Sequence, residues 1–486
     1  MLMLDQSKLE KLGKLRDLGI DPYPYTFGQT HHADEIVAHF ADLEGKEVSV
    51  AGRILRMRKM GKLYFIDLLD GSGKLQIMAR EDSAGKGDME ILRLLDLGDI
   101  IGVRGKVIKT KAGEVSVELG GLTLLSKSLR TMPEKFHGLS DVEARYRKRY
   151  LDLMVNPDVR KIFRTRTAVI RYIRDFLDAR GYLEVETPVL QAQYGGANAQ
   201  PFKTHHNFLD TDMYLRIAPE LYLKRLIIGG FERVYEFAKN FRNESVDAKH
   251  NPEFTMLEFY EAYGDYNTLM GLTEELLGGL AQKLHGSYEV AYQGEKLNFK
   301  PPFRRISLVD EIKKKSGIDI SELTDESAAE VAKKENLETA IPNAYHVADA
   351  LFDKYVQEEI TDPTFVVDYP GYMCALTKDK RGNPKLSERF EMFIARKEFA
   401  NCYSELTDPI EQRRKFEEQA LERKRGDPEA PPSDEDFLEA IEYGMPPTAG
   451  IGIGIDRLVM LLADVPSLKE VILFPTVKPE QRSEDS

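Results

Sequence analysis

NFRNESVDAKHNPEF at residues 240–254, with LEFY following at 257–260, is the stretch on which the fold turns. Two runs of strand-forming residues flank a polar centre rich in breakers, so it reads as a hairpin. One strand ends near Glu244 and the return strand begins near Glu253. Side chains alternate across a strand with period 2, which sets Arg242 and Glu244 on one face of the first strand. The same period sets Phe254, Met256, Glu258 and Tyr260 on one face of the second. A single surface then carries a guanidinium, carboxylates, a phenol and an aromatic plate. Aligned carboxylates facing inward are costly unless cations offset them, so the surface either binds a ligand or holds an ion-pair network around Arg242.

Further along, TAGIGIGIDRLVMLL at 448–462 reads as a glycine-rich strand entering a helix. Gly450, Gly452 and Gly454 share a face and leave it flat, open to a planar ligand or to tight strand–helix packing. Arg457 sits in the first helical turn, where the helix dipole opposes a cation, so a negative group such as phosphate is expected beside it. The sequence holds neither the dinucleotide glycine fingerprint nor a GxxxxGK[ST] loop, so a nucleotide here would be held by arginines and metal. In FEMFIARKEFANCYSE at 390–405, Glu391 and Glu398 have a spacing that suits one oxygen-liganded Mg²⁺ shared with phosphates. Asn401 and Glu405 follow. Taken alone, glutamates so scattered are more often solvated.

The chain has 486 residues, more than one core usually serves, so two or three domains are expected. Residues 1–45 read as a helical extension, with an amphipathic helix over 5–18 that sets Leu9, Leu12 and Leu15 against Lys8, Lys11 and Lys14. Over 46–125 the period becomes that of strands: five β-rich runs, with the helical MEILRLLDLG between the third and fourth. That order is the order of an OB-fold barrel. Its open face would carry Arg58, Phe65 and Gln76, an aromatic beside donors as single-stranded base recognition needs, although strand pattern equally allows Phe65 a place in the core. Residues 126–156 read as a linker whose RYRKRY (145–150) is a basic patch or a solvated charge run. Residues 157–486 read as the catalytic domain, with a long helix at about 160–180 and a helical insertion at about 300–360. Strands and helices mix there without regular βαβ repetition, so the fold class is α+β with an antiparallel sheet.

Composition is that of an ordinary globular protein, with 42% hydrophobic and 31% charged residues. A formal charge of −13 argues against indiscriminate nucleic-acid binding and leaves room for a local RNA footprint. Cys374 and Cys402 are too few for a disulfide framework or a cysteine-based zinc site. No apolar run approaches the roughly 18 to 20 residues of a membrane helix, and the start lacks a signal-peptide core, so the expectation is a cytoplasmic protein without a membrane partner.

Over nearly its full length the sequence closely resembles the class II lysyl-tRNA synthetases. GYLEVETP (181–188), FRNE…HNPEF (241–254) and GIGIDRL (452–458) resemble the three signature motifs of that family. DPYPY (21–25) and KFHGLSDVEARYRKRYLDL (135–153) extend the likeness, while THHN, APELYLKRL, HNPEFTMLE and EYGMPPT resemble the lysine branch rather than the aspartate and asparagine enzymes. The resemblance implies a class II antiparallel-sheet core, an OB-fold domain reading the anticodon with Phe65 stacked on a base, and a homodimer built on the motif that reaches Pro188. It implies ATP-dependent joining of lysine to tRNA(Lys) through a lysyl-adenylate, with Mg²⁺ as cofactor.

Residue by residue, it implies that Arg242 holds the ATP α-phosphate and the lysine carboxylate. Glu244 and His250 fix the adenine and phosphates, Phe254 stacks on the ring, and Arg457 covers its other face. Glu391 and Glu398 hold Mg²⁺. Gly196 and Glu220 receive the α-amino group, and Glu258, Tyr260, Asn401 and Glu405 surround the ε-ammonium. The sequence departs from the family at PGYMCALTK (370–378), where a run like PVEISPLAK is usual. Lys249, Ser245 and Ala395 replace a usual arginine and two usual glycines. Two rival readings are an enzyme that lysylates a protein and a non-catalytic RNA-binding scaffold. Residues 46–125 argue against the first, and the presence of Arg242, Glu391, Glu398 and Arg457 argues against the second.

Overall fold

Strand period governs what each face of this molecule presents, and two separate units are built on it, divided between Leu139 and Ser140. The computed structural model describes residues 4–132, 141–248, 250–339, 341–424 and 431–479; KFHGLS (135–140) and Lys249, singled out above, lie outside them.

The first unit opens with α1 (Gln6–Asp17), capped by the Asp5 carboxylate, which accepts from the N–H of Ser7. Leu12 and Leu15 are buried, and so is Lys8, which the sequence pattern set on the solvated face. Its ammonium donates to the carbonyls of Leu97 (3.1 Å) and Arg130 (2.9 Å), which offsets the desolvation. The strands β1 (Glu47–Met60), β2 (Leu63–Leu69), β3 (Lys74–Arg80), β4 (Ile100–Lys109) and β5 (Val115–Ser126) close a barrel in the order β1-β2-β3-β5-β4. The expected helix, α2 (Lys86–Leu94), lies between β3 and β4. Tyr64, Ile66 and Leu68 point inward with Ile54, Ile77 and Val103, so period 2 turns Phe65 outward. Arg58 pairs with Phe65 across β1–β2, and Gln76 pairs with Asp67 across β2–β3, which brings the three candidate base contacts to one outer face.

In the second unit, helices at Val142–Arg147 and Arg149–Val155 occupy part of the segment read as a linker. RYRKRY is neither a free basic patch nor a solvated run there. Arg149 is fully buried, donating to Asp152 (2.7 Å) and to the carbonyls of Leu473 (3.0 Å) and Lys469 (2.6 Å), while Tyr146 donates to Glu470 (3.0 Å). These groups tie the segment to the C-terminal stretch.

The elements that carry the site are α3 (Pro157–Asp178), β6 (Leu183–Glu184), α4 (Glu220–Ile228), β7 (Arg233–Phe241), β8 (Glu253–Ala262), α5 (Tyr266–His285), β9 (Arg304–Ser307), β10 (Thr364–Pro370), β11 (Asn383–Ile394), β12 (Lys397–Ser404), β13 (Thr448–Gly454) and α6 (Ile455–Leu462). Their strands form one sheet in the order β9-β10-β11-β12-β13-β8-β7-β6, antiparallel except for β9–β10 and β7–β6, with Asp379–Lys380 adding a short strand on β11. Between β9 and β10 the described residues include three α-helices, at Leu308–Ser316, Asp325–Glu335 and Ala344–Tyr355. Leu257, Phe259, Phe390, Met392, Cys402, Ile451 and Ile453 turn to one face, against Val169, Ile173 and Leu177 of α3 and Leu269, Leu276 and Leu280 of α5. Each such side chain contributes about 1.5–3 kcal/mol on burial. The alternate residues on the same strands, among them Glu258, Tyr260, Glu391, Asn401, Gly450 and Gly452, line a cavity on the other face.

Candidate active site

The cavity measures about 750 Å³. Arg242, Glu244, His250, Phe254, Glu258, Tyr260, Glu391, Glu398, Asn401 and Arg457 line it, together with Gly196 and Glu220. One geometric expectation is corrected: β7 ends at Phe241, so Arg242 and Glu244 lie past the strand rather than on its face. Arg242 N still donates to Pro252 O (2.9 Å), but Asn243 N turns away to Gln200 O (2.8 Å), and the chain peels off the ladder there. Glu244 then accepts from Gln200 N at 3.3 Å, and His250 is set by Asp247, whose carboxylate lies 2.9 Å from its Nδ1.

Arg242 is not fully satisfied by the protein. Its Nε is buried without a hydrogen-bond partner, and its guanidinium stands 5.1 Å from the Phe254 ring centre. Burial pulls it below the usual guanidinium range, while Glu244, Glu398 and Glu258 oppose that shift. Arg457, in the first turn of α6, donates to the carbonyl of Glu398 (2.7 Å), with the Glu398 carboxylate at 3.5 Å; this is the negative neighbour that the helix dipole called for. Asp456 beside it accepts from Thr255 N (2.8 Å) and Arg166 (2.5 Å), fixing α6 against β8.

Glu391 and Glu398 lie on the paired strands β11 and β12. Burial pushes the Glu391 carboxyl up, Arg389 draws it down, and the nearby charge of Glu398 raises it again. Two neighbouring carboxylates, both hard oxygen donors, fit a Mg²⁺ ion that takes its other ligands from phosphate and water. Glu391 also accepts from Tyr369 (2.8 Å) and pairs with Arg389, so the protein orients it independently of a metal. Among the described residues no cluster of three or more His, Cys, Asp or Glu forms an all-protein metal cage.

The remaining polar groups sit deeper. Gly196 has φ +84°, and a Cβ there would lie 2.9 Å from Glu220 Cβ, so both conformation and space call for glycine. Tyr260 donates to Glu258 at 3.1 Å. Asn401 accepts from Arg389 (3.2 Å) and donates to Tyr403 OH (3.1 Å). Glu405 stands just behind the wall, fully buried, and pairs with Lys224, whose ammonium also donates to Glu220 (2.6 Å). Met373, Cys374, Ala375 and Leu376 of the atypical 370–378 segment line the cavity. Lys415 clamps that segment by donating to the carbonyls of Cys374 (3.3 Å) and Thr377 (3.1 Å).

Sequence reading missed Lys224 and Arg389. The spacing Glu220-x-x-x-Lys224 is visible, but on a helix it normally marks an exposed pair. Arg389 is two residues from Glu391, hence on the same strand face, and that signal was available.

Residues 141–478 match the model of the tRNA synthetases class II (D, K and N), and residues 48–125 match that of the OB-fold nucleic acid binding domain. A lysine--tRNA ligase of Moorella thermoacetica is 52% identical over 477 residues, covering 98% of this chain and 97% of its own length. One of Thermoanaerobacter pseudethanolicus is 51% identical over 474 residues (97% and 95%), and one of Clostridium novyi is 49% identical over 482 (98% and 94%).

Proposed function

The chain belongs to the class II tRNA synthetases and joins lysine to tRNA at the expense of ATP, and from that premise we propose what the residues of the cavity do. The observation that carries the assignment is Arg242, a guanidinium held at the cavity wall with a buried donor left unpaired. A group in that state wants an anion, and both reactants supply one: the lysine carboxylate and the ATP α-phosphate. Holding the two in line converts an encounter into a displacement. A carboxylate oxygen of lysine attacks the α-phosphorus, the bond to the pyrophosphate oxygen breaks, and lysyl-adenylate remains. A hydroxyl of the terminal adenosine of tRNA(Lys) then attacks the carbonyl, and AMP departs.

Glu244, His250, Phe254 and Arg457 hold the nucleotide. Glu391 and Glu398 would hold a Mg²⁺ ion, which would neutralise phosphate charge when bound. Gly196 and Glu220 take the α-amino group, while Glu258, Tyr260, Asn401 and Glu405 surround the ε-ammonium. Pyrophosphate exchange without tRNA, tried with each of the twenty amino acids, tests this. Exchange with lysine alone is the expected result. Exchange with another amino acid means that segment 370–378 has rebuilt the pocket, and none at all removes the catalytic reading.

Glu258 makes the pocket sensitive to protons. Burial pushes its carboxyl up to about 8, Glu220 and Glu236 push further, and the Tyr260 hydroxyl and Arg242 draw it back. It is therefore mostly neutral at pH 7 before lysine arrives, and an arriving ammonium favours the ionised form. Lysine binding at pH 7 should release up to about one proton. Calorimetry in two buffers of different ionisation enthalpy reads this directly; no release would remove Glu258 from the ammonium's surroundings.

The outer face of the barrel is the proposed anticodon surface, with Phe65 stacking on a base and Arg58 and Gln76 beside it. Phe65→Ala should raise the KM for tRNA about tenfold, given the worth of one base–aromatic stack, and leave tRNA-independent exchange unchanged. An unchanged tRNA KM would move the anticodon elsewhere. Leu183, Val189, Leu190 and Phe231 are exposed apolar side chains in or near GYLEVETP, and they support a homodimer joined there. Among the described residues no helix is long and apolar enough to cross a membrane, and a reaction on tRNA supports a cytoplasmic location.

A further inference from the structure

Lys224 is a fully enclosed cation on α4 that the mechanism above leaves without a task. Its ammonium donates to Glu220 at 2.6 Å and pairs with Oε2 of Glu405, while the Phe437 ring centre lies 5.9 Å away. A charge buried this deeply is tolerated only with partners of this quality. Both oxygens of Glu405 are buried without a well-formed hydrogen bond, and they differ in what stands beside them. Oε2 meets Lys224. Oε1 is buried, has no hydrogen-bond partner, and lies 2.4 Å from where a Cβ on Gly450 would stand, against the glycine that lines the cavity. A buried carboxylate oxygen left unpaired costs free energy until a donor reaches it.

We propose that Lys224 is a positioning residue for the amino-acid pocket, holding one oxygen of Glu405 so that the other is presented beside Gly450 to the terminal ammonium of lysine. This rests on the reading of Glu405 as part of the lysine pocket. The groups facing Glu405 are Lys224 and Glu220 from α4, Lys378 from the segment before β11, Tyr260 from β8 and Cys402 from β12. Burial and Glu220 push the Glu405 carboxyl up to about 8 even though Lys224, the principal charge drawing it back, and Lys378 oppose them, so loss of Lys224 pushes it higher still. Without Lys224, the charge of Glu220 and burial would hold Glu405 in its neutral form, and nothing would fix its orientation toward Gly450. The neutral acid would then meet the ammonium poorly.

The test is pyrophosphate exchange by Lys224→Met, Glu405→Gln and the double variant, from about pH 6 to about pH 9, a range spanning the raised carboxyls. Lys224→Met should raise the lysine KM about 10- to 100-fold at pH 7, the worth of one hydrogen bond to a charged group, with the ATP KM unchanged. The lysine KM should fall with rising pH in both proteins as Glu405 ionises, and in Lys224→Met that fall should be displaced to higher pH, a displacement that a merely structural role would not give. The double variant should be no worse than Glu405→Gln alone, because one residue acts through the other. Should Lys224→Met fail to fold, Lys224→Gln keeps a donor to both carboxylates and should show the same rise and the same displacement. A pH-independent loss, or additive effects in the double variant, overturns the positioning role. Glu405→Gln with a normal lysine KM would instead overturn the pocket assignment itself, so the two failures are distinguishable.

Discussion

Arg242→Ala is expected to abolish lysine-dependent pyrophosphate exchange, with a loss of about a thousandfold or more, as removal of a group that stabilises developing charge commonly gives. The prediction is sharper than activity loss alone, because the same substitution should leave the fold intact. The Arg242 Nε has no hydrogen-bond partner among the described residues, and burial disfavours its charge. Removing an uncompensated buried donor does not destabilise a protein, so the melting temperature should hold or rise slightly. A group kept in an unfavourable state by its surroundings is one whose partner is the ligand. Arg242→Lys separates charge from shape: a point charge cannot hold two anions in a fixed fork, so it should recover only a small part of the rate. Retained exchange in Arg242→Ala would break the assignment of this hairpin to the chemistry. A fall in melting temperature together with the loss of activity would return Arg242 to the structural ion-pair reading.

The barrel and the central sheet were legible because their information is local. Five runs of period 2 specify β1 to β5 to within a residue or two, and the helix after the third is found, though it runs Lys86–Leu94 rather than over 89–98; the outward turn of Phe65 follows once Tyr64, Ile66 and Leu68 are known to be inside. What could not be read was set by distant partners. The run RYRKRY looks solvated until Asp152 and Glu470 close on it, and Lys8 looks exposed until the carbonyls of Leu97 and Arg130 are brought to its ammonium. Lys224 belongs with these, since Glu405 is remote in sequence and arrives only through the order of strands around β13. The end of β7 was misplaced for a similar reason: Gln200, a distant acceptor, takes the N–H of Asn243 that a longer ladder would have used.

The three glycines of β13 illustrate the limit most clearly, and they give the second large effect. Sequence makes Gly450, Gly452 and Gly454 equivalent, one flat face open to a planar ligand. The structure makes them unlike. A Cβ on Gly450 would lie 2.2 Å from the Tyr260 ring and 2.4 Å from Glu405 Oε1, both fully or almost fully buried. At Gly452 the nearest atom is the terminal methyl of Met256 at 2.7 Å, the free end of a flexible side chain. At Gly454 the nearest atoms are 3.8 to 3.9 Å away, ordinary contact. Most of this face is therefore occupied by the protein's own pocket residues, and only its far end is open. Gly450→Ala must displace the ring or the carboxylate, so lysine-dependent exchange should fall at least about a hundredfold through the lysine KM, with about 1–3 kcal/mol of stability lost to overpacking. Gly452→Ala should show a mild version of the same defect. Gly454→Ala should fold normally with an unchanged lysine KM, and any rise in its ATP KM would place the nucleotide over that end of the strand. Equal damage at all three positions would mean that the strand is uniformly a ligand platform, and that the packing of Tyr260 and Glu405 against Gly450 is not what shapes the pocket.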